Sequence, residues 1–196
     1  MTLLAAVITL LLVMDPLGNV PSFLAVLRDV PPARRRPIIL RESLIAFAIL
    51  LLFLAIGPGL MALLQLDEPS LSIAGGIILF LIAIKMIFPL RSGMFGDMPD
   101  GEPLVVPLAT PLIAGPSALA TVLLLVTREP DRLLEWGVAI TIACVITTAV
   151  LVLCNPLNRL LGERGLLAVQ RLMGMLLTTI AVQMFLTGVR DFLAVG

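Results

Sequence analysis

Polar residues are so sparse along this chain that its apolar runs define the plan. Six stretches carry at most one charge each: Met1–Leu27, Ser43–Leu66, Pro69–Leu90, Pro103–Thr127, Trp136–Asn158 and Leu172–Val189. A helix needs about 20 residues to cross the hydrocarbon core of a bilayer, so each stretch predicts a transmembrane helix, the last being the shortest. The first run continues past Pro21 to Leu27 and has no basic leader, so it reads as a helix and not as a secretory signal. The predicted class is all-α, a polytopic membrane protein in one transmembrane domain over 1–196.

Two of these runs are interrupted by one pattern. Asp15-Pro16-Leu17-Gly18-Asn19-Val20-Pro21-Ser22 lies inside the first, and Thr110-Pro111-Leu112-Ile113-Ala114-Gly115-Pro116-Ser117 lies inside the fourth, 95 positions later. The likeness extends to Leu24/Leu119 and Ala25/Ala120, so both read P-L-x-x-x-P-S-x-L-A. Proline removes a helical hydrogen bond and clashes with the carbonyl four residues back, so each pair of prolines predicts a helix broken at mid-membrane depth. Pro21 and Pro116 are expected at the first position of the downstream half-helices, where a missing N–H costs nothing.

The repeat extends to the other runs. Pro58 and Pro156 correspond at an offset of 98, and Gly76 to Met86 aligns with Gly174 to Met184 at the same offset. The chain therefore divides into repeat one (1–90), a linker rich in glycine and acids (91–103) and repeat two (104–196). Three spans is an odd number, so the two halves are expected to enter the membrane in opposite directions as inverted three-helix repeats, with helices 1 and 4 broken.

Charge adds orientation. Arg28, Arg34, Arg35, Arg36 and Arg41 crowd the stretch between the first two runs, where Pro31, Pro32 and Pro37 predict an extended loop. With Arg91, Arg159, Arg164 and Arg171 that side holds nine arginines against three (Arg128, Arg132, Arg190) on the other. The positive-inside rule places the arginine-rich side in the cytoplasm and both termini outside. A lipid or nucleic-acid site is the other reading of the cluster, but topology alone accounts for it, and no nucleic-acid partner is predicted.

Composition agrees with the pattern: 60% hydrophobic against roughly 45–50% in soluble domains, 13% charged, with a mean hydropathy of +1.14. Histidine is absent, and Cys144 and Cys154, ten apart on the fifth run, are expected to be packing residues. No nucleotide motif and no ligand-spaced cluster is present, so no cofactor or metal is predicted.

Polar chemistry then concentrates at the breaks. Asp15 sits near the centre of the first span, where a carboxylate costs roughly 2.5–3.5 kcal/mol, so it reads as a proton or cation site, as a cap for the second half-helix, or as both. Lys85, the only lysine, either pairs with Asp15 or snorkels to the headgroups. By the repeat, Lys85 matches Gln183 and Asp15 matches Thr110, which suggests an Asp15/Lys85 pair and a Thr110/Gln183 pair. Asn19, Ser22, Ser117 and Thr121 add amide and hydroxyl groups. Gly18, Ala114 and Gly115 are expected to keep the pocket narrow, whereas Gly75 and Gly76 read as helix packing.

D-P-L-G-N-V-P-S-F at 15–23, A-G-G-I-I-L-F-L-I-A-I-K-M at 74–86 and P-L-A-T-P-L-I-A-G-P-S at 107–117 resemble the MarC family of inner-membrane proteins, within the LysE-like transporter superfamily, over essentially the whole chain. The resemblance implies transport of small neutral amino acids such as glycine and alanine. The expected function is thus secondary transport by alternating access, with a small zwitterionic solute and a coupling proton or sodium ion as partners. Its expected substrate site comprises Asp15, Gly18, Asn19, Ser22, Thr110, Ala114, Gly115 and Ser117, with Asp15, Lys85 and Gln183 as coupling residues. Pro16, Pro21, Pro111 and Pro116 make the breaks. The alternatives are a drug or metabolite exporter and a non-transporting structural or regulatory subunit. An enzyme is not expected, because aspartyl proteolysis needs two carboxylates and Asp15 stands alone deep in a span.

Overall fold

The computed structural model describes residues 1–28, 30–88 and 108–195, and their regular structure is entirely helical. Helices α1 (Leu3–Met14), α2 (Pro16–Val26), α3 (Pro32–Leu64), α4 (Glu68–Ile87), α5 (Pro116–Arg128), α6 (Leu133–Val152) and α7 (Cys154–Val195) follow in order. A π-helical turn (Leu108–Ile113) precedes α5, and a 3₁₀ turn (Pro130–Arg132) precedes α6. Among the described residues five helical segments are apolar and long enough to cross a membrane: Leu3–Val26, Pro32–Leu64, Glu68–Ile87, Pro130–Val152 and Cys154–Ala194. At 13 residues α5 is shorter than a span by itself. The expected start of the fourth span at Pro103, Pro107, the linker 91–103 and Arg91 lie outside the described residues.

Three expectations about element boundaries are corrected. The arginine-rich stretch is helix and not an extended loop: α3 runs unbroken through Arg34, Arg35, Arg36, Pro37 and Arg41. Pro31 is extended (φ −54°, ψ 138°) and Pro32 takes the first helical position with its φ already set, after which arginines propagate a helix well. Its 33 residues make a rod of about 50 Å, longer than the ~30 Å hydrocarbon core, so its arginine-bearing end projects beyond the core. Arg35 fixes that end by donating to the Val30 carbonyl (2.9 Å), the Arg28 carbonyl (3.1 Å) and Asn155 Oδ1 (3.2 Å).

The fifth span ends at Val152, not at Asn158. The chain turns at Leu153 and α7 opens at Cys154, so Cys154 and Pro156 belong to α7, and Pro156 falls in its first turn. Cys144 and Cys154 therefore lie on different helices; both are buried and free. Gly162 (φ 67°, ψ 172°) interrupts α7, dividing it into 154–161 and 163–195.

Pro21 does not begin a half-helix. It lies inside α2, which starts at Pro16, whereas Pro116 does occupy the first position of α5.

The core holds Leu10, Phe23, Leu50, Leu79, Leu108, Trp136, Ile140 and Leu177 in one cluster. Leu4, Leu44, Leu63, Leu134 and Leu160 are exposed on outward faces, where hydrocarbon chains are their natural solvent. Helices α4 and α7 share the most extensive packing, and glycine makes it close. A Cβ on Gly76 would lie 2.9 Å from the Ala181 carbonyl oxygen, and one on Gly174 would lie 3.0 Å from that of Ala83. The two backbones thus nearly touch, and Ser72 Oγ donates across them to the Met184 carbonyl (3.0 Å).

Most ion pairs among the described residues gather at one end of the bundle. Arg128 pairs with Glu68, and its Nη2 lies 3.8 Å from Asp191. Glu129 takes the Met1 ammonium and Arg132, Arg132 also reaches Glu135 (2.6 Å), and its guanidinium stacks 4.5 Å from the Trp136 ring centroid. Met1 and the end of α7 therefore share an end with the starts of α4 and α6, while Arg35 meets Asn155 at the other.

Candidate functional site

The first break is one residue wide. Asp15 takes the left-handed region (φ 42°, ψ 64°), which aspartate tolerates better than most side chains, and separates α1 from α2. Its Oδ1 caps α2 by accepting from the Gly18 N–H (3.0 Å). Its Oδ2 has no hydrogen-bond partner, although Asp15 is only 3% exposed. Gly18 permits this arrangement: a Cβ there would lie 2.0 Å from Oδ2 and 2.4 Å from Met86 Cε.

The second break is wider. Thr110 is extended (φ −129°, ψ 128°) within a π turn closed by the Ala114 N–H on the Ala109 carbonyl (2.8 Å). Gly115 (φ −74°, ψ 163°) then leads into α5 without any side-chain cap. Pro116 has no N–H, and the N–H groups of Ser117 and Ala118 precede the first helical donor, the Leu119 N–H, which bonds the Gly115 carbonyl (3.0 Å).

One side chain ties the breaks together. Asn19 Nδ2 donates to the carbonyl of Met14, the last residue of α1 (2.9 Å), and to that of Leu112 in the π turn (3.0 Å). These amide bonds occupy a carbonyl at the end of α1 and one within the π turn.

A cavity of about 370 Å³ opens beside the breaks. It brings together Asp15, Asn19, Lys85, Gly115, Pro116 and Ser117 from the expected set. Its other walls are apolar: Val13 and Met14, Ile78, Leu81, Ile82 and Met86 of α4, Leu112 and Ile113, and Leu177 of α7. Gly18, Ser22, Thr110 and Ala114 are not among its walls; Gly18 lies behind Asp15, and Ala114 is fully buried. Thr121 Oγ1 donates to the Ser117 carbonyl (2.9 Å) in its own helix. Asp15 and Lys85 face one cavity without forming an ion pair, since Asp15 Oδ2 has no partner. Gln183 is exposed on α7 and donates to Thr187 (3.2 Å), and among the described residues no hydrogen bond joins it to Thr110.

Sequence reasoning missed the α4 wall, although a signal was available. Ile78, Leu81 and Ile82 stand seven, four and three residues before Lys85, hence on its helix face. It also missed Glu42, the one acid of α3, which is fully buried and held by Arg41 Nη2 (2.8 Å).

The family described as MarC family integral membrane protein matches residues 1–193. The chain belongs to the MarC family. It is 48% identical over 189 residues to the UPF0056 inner membrane protein YhgN of Escherichia coli (strain K12), covering 96% of each chain. It is 43% identical over 188 residues to a UPF0056 membrane protein of Buchnera aphidicola subsp. Schizaphis graminum, again over 96% of each. To a UPF0056 membrane protein of Pyrococcus abyssi it is 33% identical over 180 residues, 90% of this chain and 88% of the other. No solved structure matches it. This MarC protein is an integral inner-membrane protein with multiple membrane-spanning helices.

Proposed function

We propose that this MarC protein is a secondary transporter of small neutral amino acids, working by alternating access between two inverted three-helix repeats. The observation that carries the reading is the cavity at two broken helices, bridged by Asn19 and holding both a buried carboxylate and a lysine. Discontinuous helices with a midplane site are the usual construction of secondary transporters. Reciprocal packing supports the inverted repeat. Gly76 meets Ala181 while Gly174 meets Ala83, and exchanging each residue for its repeat counterpart (76 with 174, 83 with 181) turns one contact into the other. Likewise α2 packs on α7 and α5 packs on α4, as a pseudo-two-fold axis requires.

The apolar walls favour a second ligand class, a larger apolar solute, which keeps the exporter reading in play. Counterflow of labelled glycine, alanine, leucine and an apolar cationic drug into proteoliposomes decides between them. Exchange of alanine supports the proposal; exchange of the drug alone, or of nothing, refutes it.

The proposed orientation has both termini in the periplasm. Single cysteines at Thr2 and Asp67, in a chain lacking Cys144 and Cys154, should react with an impermeant thiol reagent outside the cell, and one at Arg35 should not. The opposite pattern reverses the orientation.

A further inference from the structure

Two opposite charges facing one small, largely apolar cavity without meeting each other form an incomplete arrangement. Asp15 is buried with Oδ2 unpartnered, and Lys85 lines the same cavity from α4. An unpaired charge in a low-dielectric site is costly, so buried Asp15 calls for a counter-charge, while Lys85, exposed overall, offers a cation at the cavity wall. The backbone polarity of the breaks is unequal in the same sense. The amino end of α2 is closed by Asp15 itself, whereas that of α5 is uncapped and meets the cavity through Gly115, Pro116 and Ser117. Free N–H groups at a helix start, with the positive end of its dipole, receive anions.

We infer that the cavity is polarised, with Lys85 and the amino end of α5 receiving the carboxylate of a zwitterion and Asp15 receiving its ammonium. Lys85 is then the specificity-determining residue that distinguishes amino acids from amines of the same size. This deepens the transporter reading and rests on it for the identity of the solute. The orientation follows from valence: the free carboxylate oxygen of Asp15 attracts the cationic end, and among the described residues no other carboxylate lines the cavity to compete for it. Asn19 is engaged in holding the breaks together, so the charged pair supplies the recognition.

Half-ligands test the assignment. Thermal stabilisation of the purified protein in nanodiscs should be produced by glycine, by acetate alone at the Lys85 end and by methylammonium alone at the Asp15 end, at matched ionic strength. Lys85→Gln should abolish the acetate response, keep the methylammonium response and weaken glycine about 10- to 100-fold, the loss expected of one charge-assisted hydrogen bond. Lys85→Arg should restore acetate, and Asp15→Asn should show the converse loss. In the wild-type protein, glycinamide, which keeps the ammonium but lacks the carboxylate, should displace glycine about 10- to 100-fold less effectively than alanine does, a comparison that holds even if a variant fails to fold. Unchanged acetate and glycine responses in Lys85→Gln, or displacement by glycinamide as effective as by alanine, would overturn the assignment. Glycine binding of the expected polarity without counterflow would instead sink the transporter reading alone.

Discussion

The two breaks share the pattern P-L-x-x-x-P-S-x-L-A yet fold differently, and one position explains the difference. Asp15 accepts a left-handed backbone and caps the following helix with Oδ1, so α2 restarts at once, at the first proline, and runs on through Pro21. Its counterpart Thr110 is β-branched, a poor occupant of that region, and stays extended; the helix restarts only at the second proline, Pro116. A carboxylate thus makes a narrow, capped break, and a threonine makes a wide, uncapped one. Equal motifs do not imply equal sites.

Substitutions sharpen this contrast, the largest effect coming first. Gly18→Ala should strongly destabilise the protein, because the new methyl group lands on Asp15 Oδ2 and Met86, and overpacking of this kind costs typically about 1–3 kcal/mol. Gly115→Ala has an ordinary backbone to occupy (φ −74°) and should melt close to wild type in micelles. Equal melting of both variants would abolish the distinction between the breaks.

Asn19→Leu removes both amide bonds between them and leaves the Met14 and Leu112 carbonyls without those donors, about 1–3 kcal/mol of stability. Hydrogen exchange should rise at both breaks together; a rise at the first alone would show that Asn19 serves only α1. Next, Asp15→Ala should cost about 0.5–2 kcal/mol through the lost cap, whereas Asp15→Asn, an equally good cap, should cost little and yet change the cation dependence of the proposed transport. Equal stability of the two variants would separate the restart at Pro16 from the cap.

The smallest effect lies away from both breaks. The Met1 ammonium and Arg132 hold the Glu129 carboxyl below the usual carboxylate range. A lowered acid stabilises the fold above its unfolded pKa, and that contribution disappears as the pH falls through its folded value. The melting temperature should therefore fall on acidification below about pH 4, the ordinary glutamate pKa, less steeply in Glu129→Gln than in wild type. Parallel curves would assign the acid sensitivity to other carboxylates.

Much of this was readable in the residues. The apolar runs, both breaks, and a packing role for Gly75 and Gly76 follow from spacing and proline chemistry, which act within a few residues. What escaped depended on neighbours distant in the chain. Nothing local says that Pro21 will be carried inside a helix already capped by Asp15, or that Pro37 among arginines will be carried inside a helix that Arg35 anchors to Asn155. The cavity walls depend on α4 facing α7, so a pocket expected to be lined by small residues is lined largely by isoleucine and leucine.

The glycine seam between α4 and α7 has a consequence for ancestry. A contact that maps onto itself when the halves exchange places is the kind made at the two-fold axis of a symmetric homodimer. On the inverted-repeat reading, a single three-helix ancestor carrying glycine at the position of Gly76 and alanine at that of Ala83 would have paired with its own copy through this surface. Fusion of two such genes would have preserved the association and freed each half to diverge, one toward an aspartate at its break and the other toward a threonine.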